Sequence, residues 1–337
     1  MKTTRLLIFT IFILFVLNVN VCPLFAQAPT TPKILFTSTR DGGQREVYIM
    51  NTDGSEQVNL TQHPAEDLNA VWSPTGEKIL FVSNRRDLRP RGTRDLYLMD
   101  PDGSNVRRVF KKKIEDWRIN PTWSSDGKQF AYESVDLGRF KTTLHIAILG
   151  EQDSEFFVNG SFPAWSPDGA EIACSVGERL ALINIRTSAQ KRLLPKNVES
   201  FQRFPSWSAA GDKLAFAWNK HPVPPPDAER EVHAAWKDKI TIYIINRDGT
   251  GLQQLIEEAG PYAQYPELSP DGNTVLYTQE INGDFQIFKL DLNSGVRTQL
   301  THINGWNTGG DWFDPAYALP VSPQPKLLTT TWGDVKK

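Results

Sequence analysis

The stretch WSPDGAEIAC, residues 165–174, joins an apolar anchor, a tight turn and the start of a β-strand. Pro167 stands at the second turn position, where its fixed φ suits a type I turn, and Gly169 can take the positive φ that closes a hairpin. Related phrases begin at Trp72, Trp123, Trp207, Leu268 and Trp312. A repeat of about 40–50 residues is typical of a β-propeller.

Each phrase leads into the same series of segments. An apolar second strand such as Ile172–Cys174 is followed by a third strand and a second turn, as in Asp100-Pro-Asp-Gly103. A more polar fourth segment ends the unit, which suits an exposed sheet edge. The turn aspartates are interpreted as turn formers, because no loop has enough oxygen ligands for a calcium site. The pattern predicts four-stranded antiparallel blades.

The count of anchors and strands predicts how the ring closes. Residues 34–36 form a second strand with no anchor phrase before it, and Trp312 is an anchor with no second strand after it. Both anomalies disappear if a C-terminal strand near residues 310–313 supplies the innermost strand of the first blade. The predicted fold is therefore all-β: a six-bladed β-propeller of four-stranded antiparallel blades, with its ring closed by N- and C-terminal strands.

The repeated WSPDG phrase and the LYLMDPDGS phrase (Leu96 to Ser104) resemble those of the TolB-like β-propeller family, with WD-type repeats. This resemblance covers roughly residues 33–315. It implies an exported, noncatalytic binding or scaffold protein of the cell envelope that presents a face to a protein or peptide. Only residues 27–32 separate Ala26 from Lys33, which leaves no room for the N-terminal α/β domain of TolB. The resemblance therefore implies a TolB-like propeller, and the Tol–Pal role is not carried over with it.

The domain organisation follows from composition. Residues 1–26, with Lys2 and Arg5 before an apolar run, are predicted to be a signal peptide, the alternative being a retained membrane anchor. Residues 27–33 form a short linker, 34–318 the propeller, and 319–337 an extended tail that either docks on the propeller or acts as a recognition peptide. The expected location is the periplasm or the extracellular space, with no stable membrane span after cleavage.

Charge and cysteine content exclude several classes of protein. The net charge of −2 argues against nucleic-acid binding. Beyond residue 26 only Cys174 remains, so an internal disulfide cannot form in the mature chain. Cys174 lies in an apolar strand and is expected to be a buried, inert thiol.

Any functional site is predicted on one face of the propeller. The tight SPDG and DPDG turns occupy one face, called here the tight-turn face. The opposite, long-loop face carries the second-to-third loops and the connections between blades, at residues 61–71, 111–122, 159–164, 196–206, 257–267 and 301–311. Loops on a rigid scaffold commonly carry function.

A cluster of basic residues is the first candidate on the long-loop face. It comprises Arg85, Arg86, Arg89, Arg91, Arg94, Lys111, Lys112 and Lys113. Together these side chains could bind an acidic glycan or another anionic ligand. The alternative is a solvated loop that neighbouring acidic residues, among them Asp87 and Asp95, partly neutralise.

A ring of aromatic and amide residues just before the anchors is the second candidate. Its members are Trp117, Asn120, Phe162, Phe201, Phe204, Tyr262, Tyr265, Trp306 and Asn307. Near the mouth of a central channel they could stack on sugars or hold a peptide. The alternative is that they pack between blades.

An insertion in the fifth blade, residues 219–239, is the third candidate. Its HPVPPP segment is stiff and extended, and residues 227–237 could form a short helix with His233 and Trp236. The insertion is interpreted either as a lid over the channel or as a tolerated surface excursion.

No catalytic, cofactor-binding or metal-binding residues are predicted. The five histidines are isolated in the sequence, and there is no GxSxG nucleophile motif. The alternatives kept open are a polysaccharide-acting, lyase-like propeller enzyme and a purely structural envelope component.

Overall fold

The computed structural model describes residues 27–89, 92–112, 115–199, 201–258 and 261–320. Within these residues the chain forms 24 β-strands and one α-helix. The strands of the first three blades in chain order are β1 (Lys33–Ser38), β2 (Glu46–Asn51), β3 (Val58–Asn59), β4 (Asp67–Trp72), β5 (Ile79–Ser83), β6 (Asp95–Met99), β7 (Arg107–Arg108), β8 (Trp117–Trp123), β9 (Gln129–Asp136), β10 (Lys141–Ile148) and β11 (Ser154–Asn159).

The second half of the chain continues the same order. Its elements are β12 (Ser161–Trp165), β13 (Glu171–Val176), β14 (Arg179–Asn184), β15 (Gln190–Arg192), β16 (Gln202–Trp207), β17 (Lys213–Trp218), α1 (Arg230–Lys237), β18 (Thr241–Asn246), β19 (Gln253–Gln254), β20 (Ala263–Leu268), β21 (Thr274–Ile281), β22 (Asp284–Asp291), β23 (Arg297–Gln299) and β24 (Asn307–Phe313). The helix confirms the short helix predicted in the insertion, but it begins at Arg230 rather than Asp227.

The described strands form six four-stranded antiparallel sheets, so the six-bladed propeller is confirmed. Blade 1 has the order β24-β1-β2-β3, and blades 2 to 6 each use four consecutive strands. In blade 1, β24 pairs antiparallel with β1, with Ile34 opposite Trp312 and Leu35 opposite Asp311. The last described strand therefore completes the first blade, as the offset count predicted.

Serine and aspartate side chains build the tight turns between first and second strands. In blade 4 the Ser166 hydroxyl donates to Asp168 (2.6 Å) and accepts a hydrogen bond from the Glu171 N–H (2.9 Å). Gly169 has a φ of 71°. These side chains replace the backbone partners that a turn lacks. The turn aspartates are therefore turn formers, as the sequence analysis interpreted them.

The second strands are apolar throughout because both of their faces are buried. Successive side chains of a strand point to opposite faces. In β5, Ile79 and Phe81 pack toward blade 1, whereas Leu80 and Val82 pack toward blade 3. The described apolar core forms six clusters, one at each junction between blades. The anchor phrase supplies each cluster with a large side chain from the innermost strand.

Turns between third and fourth strands join neighbouring blades. A Cβ atom at Gly103 would lie 2.4 Å from the Leu60 carbonyl oxygen of the preceding blade, and a Cβ at Gly249 would lie 2.8 Å from the Leu193 carbonyl oxygen. Gly54 contacts the Leu300 carbonyl in the same way, at 2.6 Å for a Cβ. Glycine is needed here for its positive φ and for close backbone approach.

Two acidic side chains lie beside the strand pair that closes the ring. Asp311 of β24 accepts a hydrogen bond from the backbone N–H of Trp72 (2.5 Å), so it links blade 1 to blade 2. Glu267 lies on the innermost strand of blade 6. Burial raises the pKa of Asp311 to about 7. Burial, with added repulsion from Asp311, raises the pKa of Glu267 well above its usual range.

Replacing Gly103 by alanine tests the contact between turn and blade. The matched control is Gly150→Ala, because Gly150 also has a positive φ (94°) in a third-to-fourth turn but has open space around its Cβ position. We expect Gly150→Ala to cost about 1–2 kcal/mol of unfolding free energy through its backbone conformation. Gly103→Ala should cost roughly 1–3 kcal/mol more through overpacking. Equal urea midpoints for the two variants would contradict this assignment.

The pH dependence of stability tests the closure site. The folded pKa of Asp311 lies above the ordinary aspartate value, so the folded protein binds this proton more tightly than the unfolded chain does. Its contribution is therefore greatest below about pH 4 and is lost as the pH rises toward 7, at up to about 1.4 kcal/mol per pH unit. In Asp311→Asn the amide oxygen can still accept the Trp72 N–H, but the side chain no longer titrates. The loss of stability that Asp311 causes between pH 4 and 7 should therefore disappear. Urea unfolding from pH 4 to 8 measures it, and parallel pH profiles for both proteins would refute it.

Candidate functional site

A cavity of about 660 Å³ occupies the central channel and opens toward the long-loop face. Residues of the innermost strands of all six blades line its walls. Side chains from the long-loop face, including Arg45, Arg94, Lys237 and Trp306, surround its mouth. The volume lies within the range of about 300–1,000 Å³ that small-molecule sites occupy.

A ring of six equivalent bulges shapes the channel wall. Each innermost strand shows a register shift against the second strand of its blade. At this bulge one residue has a left-handed backbone, with φ between 48° and 72°. The six residues are Asn69, Asn120, Phe162, Phe204, Tyr265 and Gly309. Bulges redirect side chains at functional rims, and here all six bulge residues line the cavity.

Side chains of neighbouring strands hold these bulges in place. The Glu133 carboxylate on β9 accepts hydrogen bonds from the Asn120 side-chain amide and from the backbone N–H of Phe162, both at 3.0 Å. Burial raises the pKa of Glu133, while these two hydrogen bonds oppose that rise. The Thr278 hydroxyl accepts the N–H of Gly309 at 3.0 Å. The bulge residues are therefore fixed before any ligand binds.

Three of the bulge residues form a continuous aromatic wall, defined here as Phe162, Phe204 and Tyr265. Ring centroids of Phe162 and Phe204 are 4.2 Å apart, and those of Phe204 and Tyr265 are 4.3 Å apart. A left-handed backbone costs roughly 1–2 kcal/mol for a residue with a side chain. For bulky residues it is a genuine outlier. Asn69 and Asn120 lie on the part of the ring that the wall does not occupy.

Cations stacked on aromatic rings surround the mouth, and we call this set the collar. Arg45 lies 5.6 Å from the ring centroid of Trp306, Arg94 lies 4.6 Å from Trp117, and Lys237 lies 4.4 Å from Tyr262. The Glu66 carboxylate accepts from both Arg45 (3.1 Å) and Arg94 (2.8 Å). Two guanidinium groups thus share one carboxylate, which leaves this part of the mouth positive.

The floor of the channel carries Glu267 and Asp311. The innermost strands run from the long-loop face to the tight-turn face, and a strand rises about 3.3 Å per residue. Glu267 and Asp311 follow the bulge residues Tyr265 and Gly309 by two positions, so the carboxyl groups lie roughly 6–7 Å deeper than the bulge ring.

The residues predicted for the aromatic ring have three different placements. Asn120, Phe162, Phe204, Tyr262, Tyr265 and Trp306 line the cavity, as the long-loop hypothesis expected. Trp117 and Phe201 lie just outside it, beneath Arg94 and Arg203 respectively. Asn307 is fully buried, and its side-chain oxygen accepts from the Ser38 hydroxyl (2.7 Å) and from Arg40 (2.9 Å). Asn307 therefore supports the rim from within.

Three members of the predicted basic cluster, Arg85, Arg89 and Arg94, are paired with acidic groups. Arg85 donates to Asp67 (2.7 Å), and Arg89 donates to Asp87 through two hydrogen bonds of 2.6 Å. Arg86 is exposed.

Lys111 and Lys112 are also exposed, and the backbone N–H of Lys111 donates to the Gln152 side chain of blade 3. Arg91 and Lys113 lie outside the described residues. The described part of the basic cluster thus has three paired members, and Arg86, Lys111 and Lys112 are exposed; anion binding by this cluster stays a prediction.

The insertion is fastened to the rim of the channel. The Trp236 ring packs against Phe201 at 4.7 Å, and its Nε1 donates to the His221 carbonyl (3.1 Å). The next residue, Lys237, lines the cavity. Helix α1 itself has no buried residues. The insertion therefore extends one side of the mouth and contributes a collar residue.

Sequence reasoning missed several residues of this site. Asn69, Arg45, Lys237, Glu267 and Asp311 were not singled out as candidates. Asn69 belongs to a pattern visible in the sequence, since the bulge residue lies three positions before each anchor and proline follows it in four blades (Asn120-Pro, Phe162-Pro, Phe204-Pro, Tyr265-Pro). Glu267 and Asp311 each stand one position before an anchor. Proline has no backbone N–H to donate to the hydrogen-bond ladder of a sheet. It is therefore found at bulges, where that ladder is interrupted. No comparable signal marks Arg45 or Lys237.

Two further observations concern metals and membranes. In the part of the chain that the structure describes, no three His, Cys, Asp or Glu side chains are grouped to hold a metal ion. None of the helices found in the described ranges has the length and apolarity needed to cross a membrane.

The predicted signal peptide, residues 1–26, and most of the predicted tail, residues 321–337, lie outside the described residues.

Comparison with solved structures identifies propellers of similar fold. TolB from Acinetobacter baumannii superposes with a TM-score of 0.65 at 18% identity, covering 83% of this chain and 66% of that chain. An oligogalacturonate lyase in complex with manganese gives a TM-score of 0.54 at 16% identity, covering 82% of this chain and 76% of that chain. At such identities the likeness is one of fold.

Sequence comparison gives the family. An uncharacterized protein of Agrobacterium fabrum is 38% identical over 104 residues, which is 29% of this chain and 35% of that protein. The Tol-Pal system protein TolB of Alcanivorax borkumensis is 34% identical over 116 residues, 33% of this chain and 25% of that protein. The chain thus matches at most about a third of the length of these relatives. The family model described as the TolB beta propeller domain matches residues 16–208, more than half of the chain, and this protein belongs to the TolB beta propeller family.

Proposed function

We propose that this protein is a noncatalytic binding module of the cell envelope that takes a protein or peptide partner on its long-loop face. The collar is the observation that carries the proposal. The sequence kinship with the Tol-Pal system protein TolB supports an exported protein of the periplasm. It also supports an envelope protein as the class of partner.

The collar has the chemistry of a protein-binding surface. The Trp306 side chain is 46% exposed although it stacks against Phe285 and Arg45. Tryptophan and arginine are the residues most enriched among those that dominate binding energy. Both are held in place here by their neighbours, so binding a partner would immobilise few side chains.

The tight-turn face has a smaller cavity, of about 530 Å³ beside Ser269, Asp271 and Asp291, but its turn carboxylates are hydrogen-bonded within the fold. Its hairpins are closed by their own side chains, as with Asp102, which accepts the N–H of Ser104 (2.9 Å). Glycines such as Gly103 press against the neighbouring blade. These groups are occupied within the fold, so the proposal places the partner on the opposite face.

Replacing Trp306 by alanine tests the proposed face. We expect capture of the envelope partner by the purified mature chain to weaken by roughly 30-fold, because central tryptophans commonly contribute about 2 kcal/mol or more. Tyr317→Ala is the matched control, since Tyr317 is 54% exposed near the tight-turn face. Titrated pull-downs from envelope extract give the comparison. Equal loss with both variants, or retention with Trp306→Ala, would remove the collar from the proposal.

The noncatalytic part of the proposal has its own test. The similarity in fold to an oligogalacturonate lyase makes a manganese-dependent polysaccharide lyase the rival function. We expect no unsaturated uronate product when the protein is incubated with Mn²⁺ and polygalacturonate. Such a product is detected by its ultraviolet absorbance. Product formation that a chelator abolishes would replace the binding-module proposal with the enzyme.

A further inference from the structure

The interior of the channel, below the collar, has one apolar side and one polar side. The aromatic wall of Phe162, Phe204 and Tyr265 covers the blades 4 to 6. The remaining bulge positions carry Asn69, Asn120 and Gly309. Carboxyl groups form the floor, and guanidinium groups lie above. The cavity therefore presents an apolar surface on one flank, built from rings tilted by 54° and 50° to their neighbours, and hydrogen-bonding groups on the others.

Backbone strain indicates that the wall is not a by-product of the fold. Gly309 makes the same left-handed turn without any side chain, and Asn69 and Asn120 make it with a residue that tolerates this conformation. Phenylalanine and tyrosine are strained there. Strained residues persist at functional sites when the surrounding structure enforces them. The hydrogen bond from the Phe162 N–H to Glu133 is one such enforcing contact.

The polar flank limits which ligand suits the wall. A purely aromatic ligand would pack on the aromatic wall but would desolvate the polar flank without offering it hydrogen bonds, which is costly. Asn120 and Asp311 each have one partner within the fold, Glu133 and the Trp72 N–H, and their remaining oxygens would lose water. A sugar ring has one face of C–H groups, which suits the negative face of an aromatic ring. Its hydroxyl groups both donate and accept, so they can satisfy amides and carboxyls together.

The charge above the wall limits the ligand further. Arg45 and Arg94 share the single carboxylate of Glu66. Lys237, which also borders the cavity, has no carboxylate within ion-pair distance among the described residues. A ligand with a carboxylate near the mouth would pair with this excess positive charge.

We propose that the channel binds an acidic sugar, of the hexuronate class, with the sugar ring packed against the aromatic wall and its carboxylate at the collar. On the other flank, Asn69 and the side-chain oxygen of Asn120 bond its hydroxyl groups, since the Asn120 amide N–H already donates to Glu133. This site shares the collar with the proposed protein-binding surface, but its aromatic wall lies in the interior, which a folded partner would not contact. It goes beyond that proposed function and does not depend on it.

Replacing Phe204 by asparagine tests the stacking role. Blades 2 and 3 already carry asparagine at this bulge, and Asn120 is followed by proline as Phe204 is, so the variant keeps the backbone geometry. The matched control is Phe140→Asn. Phe140 also has a left-handed backbone (φ 51°), but it is 89% exposed on the β9–β10 turn, away from the channel.

The probes are tri-galacturonate, neutral maltotriose and N-acetyl-tryptophanamide, titrated by calorimetry into the mature chain. We expect tri-galacturonate to bind at least tenfold tighter than maltotriose, and less tightly as salt rises. Phe204→Asn should weaken tri-galacturonate binding at least tenfold, and Phe140→Asn should leave it unchanged. Thermal unfolding of both variants within a few degrees of the parent would show that the fold is intact.

Several results would overturn the proposal. They are absence of tri-galacturonate binding to the parent, unchanged binding by Phe204→Asn, and equal binding of maltotriose. Tighter binding of N-acetyl-tryptophanamide, lost in Phe204→Asn, would instead assign the wall to a peptide side chain. Protein capture by Trp306→Ala tests the protein-binding proposal, and sugar binding by Phe204→Asn tests this one. Failure of either proposal is therefore distinguishable from failure of the other.

Discussion

The antiparallel pairing of β24 with β1 is the contact on which the whole ring depends. Every other blade is made of four consecutive strands, but blade 1 takes its innermost strand from the far end of the propeller segment. Without that strand, the apolar faces of β1 and β20 would lose their neighbours at once. The Phe313 ring packs on Trp72 of blade 2 at 5.3 Å, and Asp311 accepts the Trp72 N–H. Closure therefore fixes three blades together.

Closure also determines the channel. A closed ring brings six innermost strands around one axis, and their equivalent bulges then form a single belt of side chains. The bulge has the same backbone geometry in all six blades. The side chain at the bulge can therefore differ between blades without altering the surrounding strands. The chain uses this freedom unevenly: aromatic residues occupy three adjacent blades, and amides or glycine occupy the other three. The asymmetry of the site thus arises on a nearly symmetric frame.

The fold could be predicted from the sequence because its determinants are local. Anchor, Pro-Asp-Gly turn and apolar second strand each follow from residues a few positions apart, and the offset between Ile34 and Trp312 predicted closure. The channel face was also predictable, since Asn120, Phe204 and Trp306 precede anchors. Arg45 and Lys237 could not be predicted, because their loops are far apart in the sequence and border the same cavity only when the ring is closed. The pairing of Arg85 with Asp67 also escaped prediction, because Asp67 begins β4 whereas Arg85 lies in the loop that follows β5.

The glycine contacts between blades bear on how such a ring could change its size. In the turns of Gly54, Gly103 and Gly249, the third-to-fourth hairpin of one unit rests against the outer-strand carbonyl of the unit before it. Blade 1 therefore carries one half of such a joint at its hairpin, Gly54, and the complementary half at Leu60, just after its outer strand. A gene duplication that copies one complete repeat would copy both halves in register. Gain or loss of a whole repeat would then preserve such contacts, whereas an insertion or deletion within the hairpin or the outer strand would disturb them.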